Sequence, residues 1–129
     1  MDRPTELALR VTMMPRDTNV HGTIFGGIIL SYIDQAGAVH VRRHGCQNVV
    51  TAAMEGVAFH EPVYVGDLVT FRTRTLHIGK TSIRVQVTVE ANRYTDNSLV
   101  TVTEAQVIYV NVDEDRRPVP VPPDPTGGL

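Results

Sequence analysis

Residues 24–45 read IFGGIILSYIDQAGAVHVRRHG, a long and mostly apolar segment with a single acidic residue, Asp34, in its middle. The segment closes with basic residues followed by Gly45, a pattern typical of a helix C-terminus. We therefore predict one buried helix from about Phe25 to His44. It is apolar nearly all round, so it should be covered on more than one side.

Asp34 is the most informative residue of this helix, because it is the only charged side chain between Asp17 and Arg42. An ionised carboxylate in apolar surroundings must find partners or take up a proton, so a chain that keeps one there often uses it in a site. A polar stripe that merely reaches the surface would explain the residue without any chemistry.

Most of the remaining chain shows the alternation of apolar and polar residues that strands require. A turn-rich loop over residues 15–23 precedes the helix, and a second turn-rich crossing covers residues 61–67. Gly79 and Lys80 predict a tight hairpin turn with glycine in the first central position. The predicted strands are Leu7–Met13, Val49–Phe59, Leu68–Ile78, a strand around Ile83–Glu90, and Leu99–Val112.

This order of elements predicts an α+β fold, in which a curved antiparallel sheet wraps around one central helix and subunits pair edge to edge or across the helix. The 129 residues allow one domain. We assign it to residues 1–117 and treat the Pro-rich residues 118–129 as a C-terminal tail, extended along the surface or frayed, since proline cannot enter a sheet interior.

The composition excludes several functions. A net charge of −2 without a large basic cluster argues against nucleic acid as a partner. Neither a signal peptide nor an uninterrupted membrane-spanning run is visible, and the single cysteine, Cys46, cannot form an internal disulfide. We therefore expect a cytoplasmic protein with no membrane partner.

One pattern is specific to a family. Residues 17–27 (DTNVHGTIFGG) are followed by Asp34, by residues 49–55 (VVTAAME), and by residues 62–67 (PVYVGD). From about residue 9 to residue 121 the chain resembles the hotdog-fold acyl-CoA thioesterases, in particular the bacterial short- and medium-chain acyl-CoA hydrolases and the similar domains of mammalian cytosolic acyl-CoA hydrolases.

The resemblance implies hydrolysis of acyl-CoA to a carboxylic acid and CoA, without a metal or other cofactor. It implies that Asp34 is the general base or nucleophile, and that Asn19 completes the site, usually facing an acid of the neighbouring subunit. A homo-oligomer of at least two subunits is expected, with a tetramer or hexamer left open. Asn19 could equally be a turn residue ahead of the helix.

The residues themselves support these roles. A thioester needs an activated water or a carboxylate nucleophile, together with donors where the oxyanion forms. Backbone N–H groups near Gly26 and Gly27, at the start of the helix, are the oxyanion candidates. Close helix packing is the alternative reason for this glycine pair. Glu55 is a candidate partner for Asp34, although a solvent-facing position would explain it as well.

CoA carries phosphates, so its site needs positive charge or free backbone donors. The hairpin residues Gly79, Lys80, Thr81 and Ser82 are our candidates for binding CoA. Arg72 and Arg74 are weaker ones, because a solvated strand face explains them.

Other chemistries have less support. His40 and His44 are four residues apart on the helix, but no third ligand lies near them, so we predict no metal site. A domain that binds or senses acyl-CoA without cleaving it could lose the acid, whereas this chain keeps Asp34. A hotdog enoyl-CoA hydratase would need an Asp and His pair, for which only His40 is available. We therefore predict an acyl-CoA thioesterase, with these two functions as alternatives.

Overall fold

The structure, a computed structural model, describes residues 4–123. Its five strands form one antiparallel sheet in the order β1-β3-β4-β5-β2, and its one long helix packs against this sheet. The predicted α+β architecture is confirmed. The elements are β1 (Glu6–Thr12), a 3-10 turn (Pro15–Asp17), α1 (Gly26–His44), β2 (Val49–Glu55), β3 (Leu68–Ile78), β4 (Ser82–Asn92) and β5 (Leu99–Asn111).

The core lies between α1 and the inward face of the sheet. On β4 every second residue is buried, and β3 places Val69 and Phe71 on the same side. Ile29 and Ile33 of α1 pack into this surface and are at most 2% exposed. Fully burying an aliphatic side chain of this size contributes about 1.5–3 kcal/mol to stability. The core therefore fixes which face of the helix meets the sheet.

The bounds of α1 agree with those predicted from the sequence. Gly45 is the C-cap and adopts a left-handed conformation, with φ of 116°. At the other end, Phe25 is the N-cap and makes no side-chain capping hydrogen bond. The entry to the helix is held by backbone bonds, from Phe25 N to Asp17 O at 2.8 Å and from Ile24 N to Val63 O at 2.8 Å.

Two predicted details are wrong. The strand expected to reach Phe59 ends at Glu55, because Gly56 has a φ of +70° that leaves the extended conformation. In the β3–β4 hairpin, Gly79 N donates to Ser82 O at 2.8 Å, so the residues between the bonded pair are Lys80 and Thr81. Glycine is therefore outside the central positions of this turn.

The Pro-rich segment is extended along the body of the domain as far as it is described. Val119 N donates to Asn111 O at 2.9 Å, and Val121 N donates to Lys80 O at 2.8 Å. Asn111 Nδ2 also donates to Pro120 O at 2.9 Å. These bonds attach the segment to the end of β5 and to the β3–β4 hairpin. The division between domain and tail at residue 117 stays a prediction, and residues 124–129 lie outside the described residues.

Candidate active site

Asp34 lies half-buried in the middle of α1, with its carboxylate facing strands β2 and β5. Thr51 Oγ1 of β2 donates to Asp34 Oδ1 at 2.8 Å. Tyr109 Oη of β5 lies 3.1 Å from the same oxygen and 2.6 Å from the backbone carbonyl oxygen of Asp34. Within residues 4–123 both hydroxyls act on Oδ1, and no donor reaches Oδ2. One carboxylate oxygen is therefore held, and the other is available for chemistry.

The sheet register brings the two hydroxyls together. Thr51 and Tyr109 are paired on the neighbouring strands β2 and β5, and paired residues project to the same face of a sheet. Tyr109 is 1% exposed, whereas Thr51 is exposed on the edge strand. The acid is thus approached by one donor from the core and by one from the open edge of the sheet.

The environment of Tyr109 raises the pKa of its phenol above the ordinary value. Burial is the main cause, and the neighbouring Asp34 carboxylate adds to it, through its charge and through the hydrogen bond. The backbone N–H of Ala38 acts in the opposite direction because it donates to the phenolic oxygen. The phenol stays protonated throughout the physiological range and is able to donate.

The first turn of α1 offers backbone donors next to a small cavity. The N–H groups of Gly26 and Gly27 have no helix carbonyl before them to accept a hydrogen bond, and no side chain caps them. A cavity of about 190 Å³ adjoins Gly26 and is lined by Ile24, Ile29 and Phe59, and also by the polar residues Thr23 and Glu61. The free N–H groups beside this cavity are candidate donors to a carbonyl oxygen that becomes negatively charged.

Asn19 forms its contacts within its own loop. Its Nδ2 donates to Thr23 Oγ1 at 2.8 Å, and its Oδ1 accepts from His21 N at 2.8 Å. This is the turn role that its sequence position also allowed. Within a single chain the side chain makes no recorded hydrogen bond to Asp34, so a joint role for the two residues stays a prediction.

The β3–β4 hairpin, residues 79–82, lies at the same end of the sheet as Tyr109. Tyr109 pairs with Ile83, the residue that follows the hairpin, and Asn111 N donates to Thr81 O at 2.8 Å. The side chain of Lys80 is exposed. The hairpin therefore places an ammonium group and two hydroxyls near the acid's end of the sheet, while CoA binding there stays a prediction.

Glu55 does not contact Asp34, so the sequence-based suggestion that it supports the acid is wrong. Its Oε2 accepts from Arg84 Nη1 at 2.9 Å, and the side chain is 53% exposed. Glu55 follows Thr51 on β2 but lies beyond the irregularity at residues 51–53. The solvent-facing alternative is the one observed.

The two strand arginines donate hydrogen bonds to side chains of the neighbouring strand β4. Arg72 donates to Glu90 at 3.0 Å, and Arg74 donates to Gln86 at 2.5 Å.

The two helix histidines point to different partners. His40 bridges Thr73 Oγ1 at 2.8 Å and Thr75 Oγ1 at 2.7 Å, whereas His44 Nε2 lies 3.1 Å from Pro122 O. Across residues 4–123 there is no group of three His, Cys, Asp or Glu side chains able to hold a metal ion. Cys46 is buried, and burial raises the pKa of its thiol.

None of the helices between residues 4 and 123 combines the length and the apolar character that a bilayer crossing requires.

A family model described as the thioesterase superfamily matches residues 21–96 of the chain. This span contains the first turn of α1, Asp34, Thr51 and the β3–β4 hairpin. The matched region therefore coincides with most of the candidate site.

Curated and solved proteins agree with this match. The acyl-CoA thioester hydrolase YciA of Salmonella typhimurium is 40% identical over 120 residues, which span 91% of this chain and 90% of that protein. A hexameric hotdog fold thioesterase of Campylobacter jejuni is 42% identical, with a TM-score of 0.86, 91% of this chain and 90% of the other covered. HI0827, a hexameric broad specificity acyl-coenzyme A thioesterase, is 34% identical with a TM-score of 0.87, and the match covers 95% of this chain and 84% of the other.

The chain belongs to the thioesterase superfamily. Its five-stranded sheet around one helix is the hotdog fold, as the resemblance implied. Thr51 and Tyr109 are the site residues that sequence reasoning did not assign. Thr51 stood within the quoted VVTAAME motif, so a polar residue at an otherwise apolar stretch of strand was the available signal. Tyr109 lay outside the quoted motifs.

Proposed function

We propose that this protein hydrolyses acyl-CoA thioesters to a carboxylic acid and free CoA, with Asp34 as the catalytic carboxylate. The observation that carries the proposal is the Asp34 carboxylate, which two hydroxyls hold by Oδ1 while Oδ2 is free. The relatives of this chain are named acyl-CoA thioester hydrolases and acyl-coenzyme A thioesterases, which supports the proposal.

Asp34 acts in one of two ways. As a general base it takes a proton from water, the water oxygen bonds to the thioester carbonyl carbon, and the carbon–sulfur bond breaks as the proton passes to the departing sulfur. As a nucleophile its Oδ2 attacks the same carbon, CoA leaves, and water hydrolyses the resulting anhydride. Both routes consume one water and give the same products.

The oxyanion formed in either route needs donors. In this proposal they come from the uncapped N–H groups of Gly26 and Gly27 of the neighbouring subunit, because these two residues lie about 10–12 Å along the helix axis from the Asp34 of their own chain. The Asn19 amide orients the substrate or the water across a subunit boundary. The missing side chains of the two glycines make room for aromatic rings, since a Cβ at Gly27 would overlap the Phe25 ring and a Cβ at Gly26 would lie 3.3 Å from the Phe59 ring.

We propose a homo-oligomer in which the site is shared between subunits. Two of the solved relatives are hexameric. In the single chain, β2 is an edge strand with Val50 39% exposed, and a cavity of about 830 Å³ lies between this strand and the second half of α1. The free side of an edge strand, next to an open helix face, favours a neighbouring subunit as the cover.

The CoA moiety is proposed to lie along the β3–β4 hairpin, where Lys80 offers positive charge to its phosphates and Thr81 and Ser82 offer hydroxyls. A cytoplasmic location fits a substrate that carries CoA. The hydratase alternative has no support in the geometry, since both ring nitrogens of His40 face threonines of β3. The retained acid argues against a protein that only senses acyl-CoA.

The test is release of free thiol from a panel of acyl-CoA esters, from acetyl to palmitoyl and including an aromatic ester. We expect turnover with at least one ester and saturation in substrate concentration. Absence of turnover on every ester, with acyl-CoA binding shown by calorimetry, would overturn the hydrolase and leave the binding protein.

Thr51 gives a further prediction. Thr51→Val preserves the side-chain shape but removes the donor to Asp34 Oδ1, so kcat should fall about tenfold, as expected for one lost hydrogen bond. Thr51→Ser keeps the hydroxyl and serves as the matched control. Steady-state kinetics with the best ester of the panel measure both. Equal activity of the two variants would show that the hydroxyl has no role.

A further inference from the structure

We propose that Tyr109 is a positioning residue for thioester hydrolysis, which locks the catalytic Asp34 from the buried side of the sheet. The inference rests on the proposed function. Tyr109 does not touch the substrate in this scheme; it acts by fixing the place and orientation of the acid.

The first step is the contact itself. The Tyr109 hydroxyl lies 2.6 Å from the Asp34 carbonyl oxygen and 3.1 Å from its Oδ1, so its single proton is shared between backbone and side chain of one residue. A phenol in a core needs some acceptor, and any carbonyl would satisfy it. Here one hydroxyl connects both parts of Asp34, which restricts the side-chain torsions as well as the helix backbone.

The second step is the space that the chain leaves for this contact. A Cβ at Gly37, one turn after Asp34 on α1, would overlap the Tyr109 hydroxyl and ring. Gly37 is buried, so the ring could not move aside into solvent. A mid-helix glycine costs about 0.5–1 kcal/mol relative to alanine. The helix accepts this cost at the position where the phenol reaches the acid.

The third step concerns the carboxylate. Thr51 and Tyr109 both hold Oδ1, and the two hydroxyls lie on adjacent strands of a rigid sheet. With Oδ1 fixed, Oδ2 is directed to one place instead of sampling several rotamers. A reacting group held in its productive geometry gains rate, and small displacements lose it. Removing the phenolic hydroxyl should therefore lower kcat more than it changes substrate binding.

The experiment uses Tyr109→Phe in the full chain, with butyryl-CoA, or the best ester of the panel, as the probe. We expect kcat to fall about tenfold while KM stays within about twofold, because one hydrogen bond to the acid is lost. Tyr94→Phe, which removes the hydroxyl of a side chain 79% exposed, is the matched control and should match the wild type.

A purely structural role is separated by repeating the substitution in an Asp34→Ala background at high enzyme concentration. If Tyr109 acts through the carboxylate, the added Tyr109→Phe change leaves the residual rate unaltered, because residues that act as a unit are not additive. The inference would be overturned if Tyr109→Phe lowered the rate by the same factor in both backgrounds. It would also be overturned if the Tyr109→Phe single variant had a kcat within twofold of the wild type.

The proposed function and this inference fail in different ways. If the proposed function is wrong, the wild type is inactive or the Asp34→Ala variant keeps full turnover. If only the inference is wrong, activity of the wild type depends on Asp34 but the Tyr109→Phe variant is fully active.

Discussion

Asp34→Asn is expected to fold like the wild type, to bind acyl-CoA and to lose about 10³-fold in kcat. The amide oxygen can still accept the hydrogen bonds from Thr51 and Tyr109, so the site keeps its shape. The amide nitrogen can neither take a proton from water nor attack the thioester carbon. Steady-state thiol release measures kcat, and calorimetric titration with a slowly cleaved ester measures binding.

The control for this variant is Glu104→Gln, which makes the same change from carboxylate to amide at an exposed position of β5. It should retain wild-type kcat and KM. An Asp34→Asn enzyme that kept a tenth or more of the wild-type kcat would remove Asp34 from the chemistry. A large rise in KM with unchanged kcat would assign it to binding instead.

Much of the fold was predictable because the decisive signals are local. The bounds of β3 follow from alternation along a single strand, and the end of α1 follows from its basic last turn and Gly45. The end of β2 was missed because Gly56 interrupts an otherwise apolar run, and a glycine within such a run is compatible with strand or turn.

The candidate site was predictable only in part, for a physical reason. Asp34 stands out in the sequence since it is an acid in an apolar helix, which is a property of its own neighbourhood. Its partners come from far along the chain: Tyr109 is 75 residues away and Thr51 is 17 residues away. Which residues of β2 and β5 face the acid depends on the register of these strands, and the irregularity at residues 51–53 alters that register. For the same reason Glu55 was wrongly suggested as a partner.

The contacts of the Pro-rich segment also depend on tertiary structure. Proline has no N–H, so this segment cannot form a continuous ladder, and the sequence predicts no partner for it. Valines between the prolines supply the donors: Val119 and Val121 bond to Asn111 and Lys80. Because the prolines have no N–H, alternation of Val and Pro lets residues 118–122 follow the domain with both of their N–H groups paired.

The largest expected effect on stability comes from Asp67, which immediately precedes β3 and is 2% exposed. Its Oδ2 accepts from Arg93 Nη1 at 2.7 Å and from Tyr64 N at 2.9 Å, and its Oδ1 accepts from Tyr94 N at 3.2 Å. Asp67→Ala removes the closer of the two carboxylates near Arg93, whose side chain is 11% exposed; the other, Glu61 Oε2, lies 3.9 Å from Arg93 Nη2 and belongs to a side chain that is 48% exposed. Breaking a buried pair on one side costs about 3–5 kcal/mol, and we expect the lower part of this range because Glu61 still compensates part of the Arg93 charge.

The effect should extend to the candidate site. The same Arg93 nitrogen donates to Pro62 O at 2.7 Å, and the adjacent Val63 O accepts from Ile24 N at the entry to α1. Loosening this crossing therefore loosens the helix start that carries Gly26. We expect Asp67→Ala to lose activity at temperatures where its circular dichroism is still native.

Urea unfolding followed by circular dichroism measures the change in stability, at one fixed protein concentration because assembly contributes to apparent stability. Glu55→Gln is the matched control, since it breaks the pair with Arg84 at a carboxylate that is 53% exposed. Exposed pairs contribute about 0–1 kcal/mol, so this control should unfold close to the wild type. If the urea midpoints of Asp67→Ala and of the control were equal, the Asp67–Arg93 pair would not stabilise the crossing formed by residues 61–67.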